Sequence, residues 1–321
     1  MHVLRWGQSA YETDDDLAME QAGAEALGLS FARAPDARRR PDLGGVDALV
    51  VTSKCRVDAE LLARFAGSLV LTTTSGWDHI DVAAARARGV AVGRSPLARR
   101  DAVVEHALAE LLSLVRRLPA LYRAARDDRW ARAELPALAP RALTDRPVLV
   151  VGQGVIGRSM NRALSCLGVE VWGTDPRGVD PDVRPVELDE ALPQVGAVTL
   201  HCALSPTSRD LMSAERIRRM APDAVLVNTA RGDVMDPAAA VSAVEEGRLR
   251  GLACDVFPEE PYPALAAGAQ VSGVRFTPHA SGYTVGLGRR VAEGVVAGLS
   301  AWAQGQPQPY GVTEAGSEPR R

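Results

Sequence analysis

Four stretches of the 321-residue chain combine residue types that could bind a charged ligand or move a proton. The rest of the sequence is arranged around one of them, Pro147 to Asp175, PVLVVGQGVIGRSMNRALSCLGVEVWGTD. Gly152, Gly154 and Gly157 form G-x-G-x-x-G between an apolar run, Val148 to Val151, and a helical pattern. The first glycine suits a tight turn, the second lets backbone approach a pyrophosphate, and the third lets the helix pack on the strand. Gln153, Val155 and Ile156 fill the positions between, where a helix N-terminus offers free N–H groups and a positive dipole end to phosphates. Asp175 follows Gly157 by 18 residues and closes a second apolar run. There its carboxylate can accept hydrogen bonds from the adenosine ribose hydroxyls. Glycines alone occur at any tight strand-to-helix turn; strand, helix and acid together predict a dinucleotide site.

The other three stretches also follow strand-like runs. They are Asn228-Thr229-Ala230-Arg231-Gly232, Asp255-Val256-Phe257-Pro258-Glu259-Glu260-Pro261 and Thr277-Pro278-His279. A guanidinium presents a planar donor fork to a carboxylate, and an imidazole beside an acid can exchange a proton near neutral pH. Each residue also has a plainer reading. An arginine after a strand is commonly a solvated or structural charge, and a histidine there commonly satisfies local backbone.

Composition bounds the possibilities. With 46% hydrophobic residues the chain is long enough for two domains with separate cores. A net charge of −3 and a pI near 6.0 give no electrostatic case for nucleic acid or an anionic membrane surface. No apolar run approaches the ~18 residues a membrane span needs, and the start MHVLRWGQSAYE lacks the basic end and apolar centre of a signal peptide. The cytoplasm is the expected location. Cys55, Cys166, Cys202 and Cys254 form no C-x-x-C pair and read as reduced, mostly buried residues, so neither a metal site nor a disulfide framework is indicated. Lys54 is the only lysine.

The elements that must position these residues follow from periodicity. His2 to Arg5, Asp47 to Thr52, Ser68 to Thr73 and Val90 to Val92 read as strands. Helices around Asp16 to Leu27, from Asp58, and from Asp81 to Arg88 alternate with them, with Asp58 and Asp81 as N-caps. Ligands of such open parallel sheets bind beyond the carboxyl ends of the strands, here Arg5 to Gly7, Thr52 to Lys54 and Thr74 to Asp78. Arg94 to Arg100 is a proline-containing basic connector, and a helix from Asp101 to Arg126 carries more apolar surface than one small sheet needs. That surplus predicts burial against a second subunit, although the face could pack wholly within one chain. Residues 127 to 146 read as loop, with Trp130 anchored into the same surface. After the glycine turn, runs at 197 to 202, 224 to 228, 251 to 256 and 274 to 277 complete a six-stranded doubly wound sheet. Helices near Ala214 to Met220 and Pro237 to Glu246 fill the intervals. A last helix, Arg289 to Ala303, is expected to return to the first domain, and the Gly- and Pro-rich tail from Gln304 to fray. The expected division is 1–99 with 285–321 as substrate domain and 100–284 as nucleotide domain, both Rossmann-like and α/β with parallel sheets, meeting around substrate and cofactor.

Together these segments resemble the D-isomer-specific 2-hydroxyacid dehydrogenase family, which includes D-3-phosphoglycerate, D-lactate, glyoxylate and erythronate-4-phosphate dehydrogenases. The likeness runs from about Asp47 to Gly298. It takes in Ser75-Gly76-Trp77-Asp78-His79-Ile80-Asp81, Val104-Glu105-His106-Ala107, the glycine turn, His201-Cys202-Ala203-Leu204-Ser205-Pro206-Thr207 and the three loaded stretches, in order. The resemblance implies an NAD-dependent oxidoreductase that interconverts a D-2-hydroxyacid and its 2-oxoacid, as a homodimer. It implies that Arg231 holds the substrate carboxylate and C2 oxygen and that His279 exchanges the proton on that oxygen. Glu260, the acid directly before the proline, would fix the imidazole tautomer and favour its charged form. Backbone N–H groups at Ser75 and Gly76 would hold the carboxylate. His201, Thr207, Thr229, Ala230, Asp255 and His279 would line the cofactor, with Asp255 facing the nicotinamide. His201 also reads as a simple strand cap, His106 as part of the interface face, and His79 as a turn residue.

Two departures stand out. Thr74-Ser75-Gly76 replaces a frequent Gly-Val-Gly, removing one freely rotating position. Thr52-Ser53-Lys54-Cys55 lacks the arginine with hydroxyl residues by which phosphoglycerate enzymes grip a phosphate, so a phosphorylated substrate is not favoured. Lys54 reads either as a point charge for the substrate tail, in a pocket walled by Trp77 and Trp6, or as a solvated loop residue. A C-terminal regulatory domain is not expected. The competing reading is an NAD(H)-binding regulatory protein, like the corepressors that share the fold.

Overall fold

The computed structural model describes residues 1–312, which divide between two compact units, Met1–Arg100 with the segment from Tyr283, and Asp101–Gly282. The first holds a five-stranded parallel sheet of β1 (His2–Trp6), β2 (Ser30–Ala34), β3 (Ala48–Val51), β4 (Leu69–Thr72) and β5 (Ala91–Arg94), in the order β2-β1-β3-β4-β5. ALVV and LVLT of β3 and β4 are buried throughout, as strands covered on both faces must be. Trp6 pairs with Val51, Val51 with Thr72, and Thr72 with Arg94, so these four strands end in step at one sheet edge. Asp58 and Asp81 cap their helices through Leu61 N and Ala84 N.

The last helix, Leu287–Ala303, packs in this unit: Val291, Val295 and Leu299 join Val3, Val50 and Leu71 in one core cluster. It lies so close to the helix Asp14–Ala26 that a Cβ on Gly23 would stand 2.4 Å from Val296 Cγ2. The tail does not fray at its start. Gln308 Nε2 donates to Gly298 O at 3.1 Å and Val312 N to Val92 O at 2.9 Å, which anchors the chain as far as it is described; residues 313–321 lie outside the described residues.

The second unit holds seven parallel strands: β6 (Val148–Val151), β7 (Val171–Thr174), β8 (Arg184–Pro185), β9 (Ala197–Leu200), β10 (Val225–Asn228), β11 (Gly251–Cys254) and β12 (Val274–Phe276). Their order, β12-β11-β10-β9-β6-β7-β8, reverses between β6 and β9, and such a switch point opens a crevice at the carboxyl end of the sheet. Six strands are expected from sequence; the seventh, β8, is a two-residue edge too short to leave a pattern. Register carries the functional consequence. Thr174, Val151, Leu200, Asn228, Cys254 and Phe276 form one row across the sheet. The next residues along each strand are Asp175, Gly152, His201, Thr229, Asp255 and Thr277.

The expected single helix from Asp101 to Arg126 is two helices, Leu97–Val115 and Leu118–Arg126. Arg117 between them is left-handed, with φ 57°, and Pro119 in the first turn of the second helix lacks the N–H that a continuous helix would need. Arg94 ends a strand, and the expected connector is already helical from Leu97. Val104, Ala107, Leu111, Leu114 and Val115 pack into the sheet's own core, which removes much of the surplus apolar surface. Short turns at Ala131–Glu134, Leu135–Leu138 and Leu143–Asp145 replace the expected loop, and Trp130 is 88% exposed rather than anchored within the chain. Cys55 and Cys254 are buried, Cys202 half-buried and Cys166 exposed, all as free thiols.

Candidate active site

The glycine turn has the geometry its sequence implies. Gly152 has φ 93°, and a Cβ there would meet Cys202 N at 2.5 Å. A Cβ on Gly157 would stand 1.9 Å from Gly152 O, so only glycine lets the helix Val155–Cys166 start this close to the turn. No side chain caps that helix, which leaves the N–H groups of its first turn for a ligand. The Gln153 side chain is buried and committed inward: Nε2 donates to Val150 O and Oε1 accepts from Asn161 Nδ2. Asp175 accepts from Gln153 N at 2.8 Å and from Arg177 N at 2.9 Å, and the Arg177 guanidinium lies over it, Nε to Oδ1 at 3.1 Å. Burial pushes the Asp175 carboxyl up, but the Arg177 and Gln153 hydrogen bonds outweigh it and hold the group below its ordinary range.

Two buried polar atoms beside the turn have no partner among the described residues, His201 Nδ1 and Thr229 Oγ1. His201 Nε2 lies 2.9 Å from Thr199 Oγ1, and burial pushes its pKa down to about 4, so the ring is neutral. Burial also pushes the neighbouring Cys202 thiol up to about 12. Ala230 is buried, whereas Thr207 is exposed and lies 3.0 Å from Ser205 Oγ. Orphaned polar atoms, an uncapped helix and a turn that excludes side chains fit a nicotinamide dinucleotide.

Glu260 and His279, the pair expected to exchange a proton, come together beyond β11 and β12. His279 Nδ1 lies 2.8 Å from Glu260 Oε2, and Phe257 N donates to Glu260 Oε1 at 3.0 Å. A carboxylate accepts only, so Nδ1 carries the proton and Nε2 is the atom that can give or take one. His279 is left-handed, with φ 54°, a conformation that costs a non-glycine residue roughly 1–2 kcal/mol. Asp255 offsets that cost. The residue is 1% exposed; its carboxylate accepts from Thr277 Oγ1 at 2.5 Å, Ala280 N at 2.8 Å and Ser281 N at 2.9 Å, while its carbonyl accepts from His279 N at 2.7 Å. Burial alone would raise the Asp255 carboxyl; the bonds from Ser281, Thr277 and Ala280 hold it below its usual range. Asp255 is therefore committed to the loop that carries His279. His106, on the helix Leu97–Val115, places Nε2 3.3 Å from the same Thr277 hydroxyl.

Arg231 precedes a tight turn, Gly232–Val234. Asn228 Nδ2 donates to Arg231 O at 3.0 Å, and Arg231 Nη1 donates to Ala230 O at 2.8 Å. A Cβ on Gly232 would stand 1.9 Å from Phe257 C, so this glycine lets the arginine segment lie directly against the segment that carries Glu260. Gly232, Ser281 and Thr277 are structural partners of this cluster, a role that the sequence alone does not assign; the glycine directly after Arg231 is its one local signal.

In the other unit, Thr74–Trp77 follows β4 as a half-buried loop. Thr74 Oγ1 donates to Gly76 O at 2.7 Å, and Thr72 Oγ1 lies 3.0 Å from His79 Nε2. Arg94, expected in a connector, is 8% exposed; it donates to Ser75 O at 3.1 Å and its guanidinium stands 4.9 Å from the Trp77 ring centroid. Lys54 is exposed beyond β3. Trp6 walls no pocket: it is 2% exposed, and its Nε1 donates to Asp36 O and Arg39 O.

A sequence model of the family described as D-isomer specific 2-hydroxyacid dehydrogenase, NAD binding domain, matches residues 108–281. The chain is 32% identical over 273 residues to a glyoxylate reductase of Thermofilum pendens, covering 82% of this chain and 80% of that one. It is 30% identical over 276 residues to a D-3-phosphoglycerate dehydrogenase of Mycobacterium bovis, covering 84% of this chain but only 52% of the relative, about half its length. Among solved structures, a D-lactate dehydrogenase from Aquifex aeolicus complexed with NAD and lactic acid aligns with a TM-score of 0.80 at 25% identity, over 94% of this chain and 96% of that one.

Proposed function

The chain belongs to the D-isomer specific 2-hydroxyacid dehydrogenase family, and from that premise we propose that it interconverts a D-2-hydroxyacid and its 2-oxoacid with NAD as the redox partner. The observation that carries the proposal is the pair His279 Nδ1 and Glu260 Oε2 at 2.8 Å, with Glu260 itself held by Phe257 N. The pair fixes the tautomer, so Nε2 delivers a proton to the C2 oxygen in reduction and accepts it in oxidation. When the imidazole becomes cationic, Glu260 stabilises the charge. Arg231 binds the carboxylate and C2 oxygen through its fork and draws electron density from the carbonyl. Ser75 and Gly76 N–H groups are assigned to the carboxylate, Trp77 to the pocket wall and Lys54 to a polar or anionic tail.

The bound nicotinamide supplies or accepts the hydride at C2. Gly152, Gly154, Val155, Ile156 and Gly157 would hold the pyrophosphate, Asp175 the adenosine ribose, and His201, Thr207, Thr229 and Ala230 the surrounding surface. Asp175 favours NAD, because its carboxylate repels a 2′-phosphate while a neutral hydroxyl is a good partner. The quaternary proposal is a homodimer formed through the face that presents Tyr122, 61% exposed, and Trp130, 88% exposed. Oxidation of NADH is measured against a panel of 2-oxoacids that includes tail-less glyoxylate. Saturable turnover with at least one member supports the proposal; NADH binding without turnover across the panel returns the chain to the regulatory reading.

A further inference from the structure

At the amino end of the second unit's sheet, opposite the glycine turn, lies a cavity of about 320 Å³. Its lining includes Arg117, Ala120, Leu138, Asp223 and Arg250. Arg117 sits at the break between the helices Leu97–Val115 and Leu118–Arg126, Asp223 shortly before β10, and Arg250 directly before β11. Behind the lining, Arg141 and Arg146 both grip Asp223, at 2.7 and 2.5 Å. None of these residues belongs to the nucleotide turn or to the Arg231, Glu260 and His279 cluster.

The local charge does not balance. Four guanidiniums, of Arg117, Arg141, Arg146 and Arg250, face two carboxylates, Asp223 and Asp145, and both Asp223 oxygens are already taken by Arg141 and Arg146. Among the described residues, the two arginines that line the cavity donate only to carbonyl oxygens. Arg117 Nη1 donates to Arg250 O at 2.6 Å; Arg250 Nη1 donates to Ala139 O at 2.7 Å and its Nε to Asp223 O at 3.3 Å. The Nε atoms of Arg117 and Arg141 are buried with no partner among the described residues. Burial, and the charges of the neighbouring guanidiniums, depress the pKa of Arg117 and of Arg250. A buried N–H without an acceptor is costly, and guanidiniums whose nearest carboxylate, Asp223, is already shared by Arg141 and Arg146 are under-compensated. A purely structural clamp would not leave both beside an open cavity.

We propose that this cavity binds a small oxyanion, a phosphate group free or carried by a small metabolite, with Arg117 and Arg250 as its principal donors. Guanidinium forks suit the geometry of phosphate oxygens, and the volume is at the low end of small-ligand sites, larger than a lone phosphate needs. The site is independent of the reaction proposed above.

Inorganic phosphate is titrated at constant ionic strength against chloride, with NADH saturating so that phosphate does not occupy the glycine turn, and thermal stability is followed. A saturable rise in Tm that chloride does not reproduce is expected. Arg117→Gln should weaken the apparent affinity at least about tenfold while leaving NADH affinity unchanged, the loss expected for one charge-assisted donor. A phosphomonoester in a parallel titration distinguishes a metabolite site, where it binds more tightly than phosphate, from a site for the free ion, where it does not; weaker binding of both than chloride overturns the proposal. Should Arg117→Gln fail to fold, Ala120→Glu supplies a carboxylate to the cavity wall. That variant should be more stable without phosphate and blind to it. No saturable response in the wild type, a response that Arg117→Gln leaves intact, or an Ala120→Glu variant that is destabilised and still answers to phosphate would each overturn the proposal.

Discussion

Asp255→Asn isolates the residue that holds His279 in place. The carboxylate accepts three hydrogen bonds from the 277–281 loop, from Thr277 Oγ1, Ala280 N and Ser281 N. An asparagine that keeps its oxygen at the Oδ1 position retains the first two and turns an NH2 group toward Ser281 N, replacing a charge-assisted bond by a donor facing a donor. The loss of one bond to a charged group costs about 1.5–3 kcal/mol, and His279 then keeps its left-handed strain with less to hold it. At about 2–4 °C per kcal/mol for a unit of this size, the transition of Asp101–Gly282 should fall by about 3–12 °C. The same energy corresponds to about tenfold to a hundredfold in the population of the ordered loop, so kcat/KM should fall by up to that factor with NADH affinity nearly unchanged. The acid side supplies a second readout. The folded pKa of Asp255 is depressed, so its stabilisation is full above the ordinary carboxyl pKa of about 3.9 and is lost as pH falls through the lower folded value. Scanning calorimetry from neutral pH to below pH 4 should show the wild type and the variant converging. A variant with unchanged Tm and unchanged activity would refute the assignment of Asp255 to the loop.

Arg231→Lys keeps the charge but not the fork, and His279→Ala removes the proton carrier; each should lower kcat by about 10²-fold or more while NADH fluorescence titration still reports binding. Arg177→Ala uncovers the Asp175 carboxylate, so the ratio of kcat/KM for NAD over NADP should rise about tenfold, and an unchanged ratio would show that Arg177 does not shield it. Light scattering should give about twice the chain mass of 34.0 kDa, and Trp130→Glu should reduce it to the single-chain value.

What the sequence made legible, and what it hid, divides along physical lines. Residues that close strands were readable because apolar runs and the glycine spacing are local signals: Gly152, Asp175, Asp255 and Thr277 do follow one row of paired residues across the sheet. Edge strands were not. Ser30–Ala34 is half-exposed, with Phe31 its one large apolar residue, and Arg184–Pro185 is two residues long. The break at Arg117 was hidden because apolar periodicity continues across it, although Pro119 offered a clue. Roles that depend on where a side chain turns were the least accessible. The motif names Asp255, but only the loop's conformation commits its carboxylate to Ala280 and Ser281; Trp6 looked like a pocket wall until the 36–39 backbone took its N–H.

The central claim, stereospecific oxidation at C2 with His279 as the proton acceptor, is tested most directly with the two enantiomers of the best 2-hydroxyacid and NAD, following NADH formation. NADH should form from the D-enantiomer alone, with the rate abolished in His279→Ala; NADH from the L-enantiomer, or a D-specific rate that survives loss of His279, would contradict that claim.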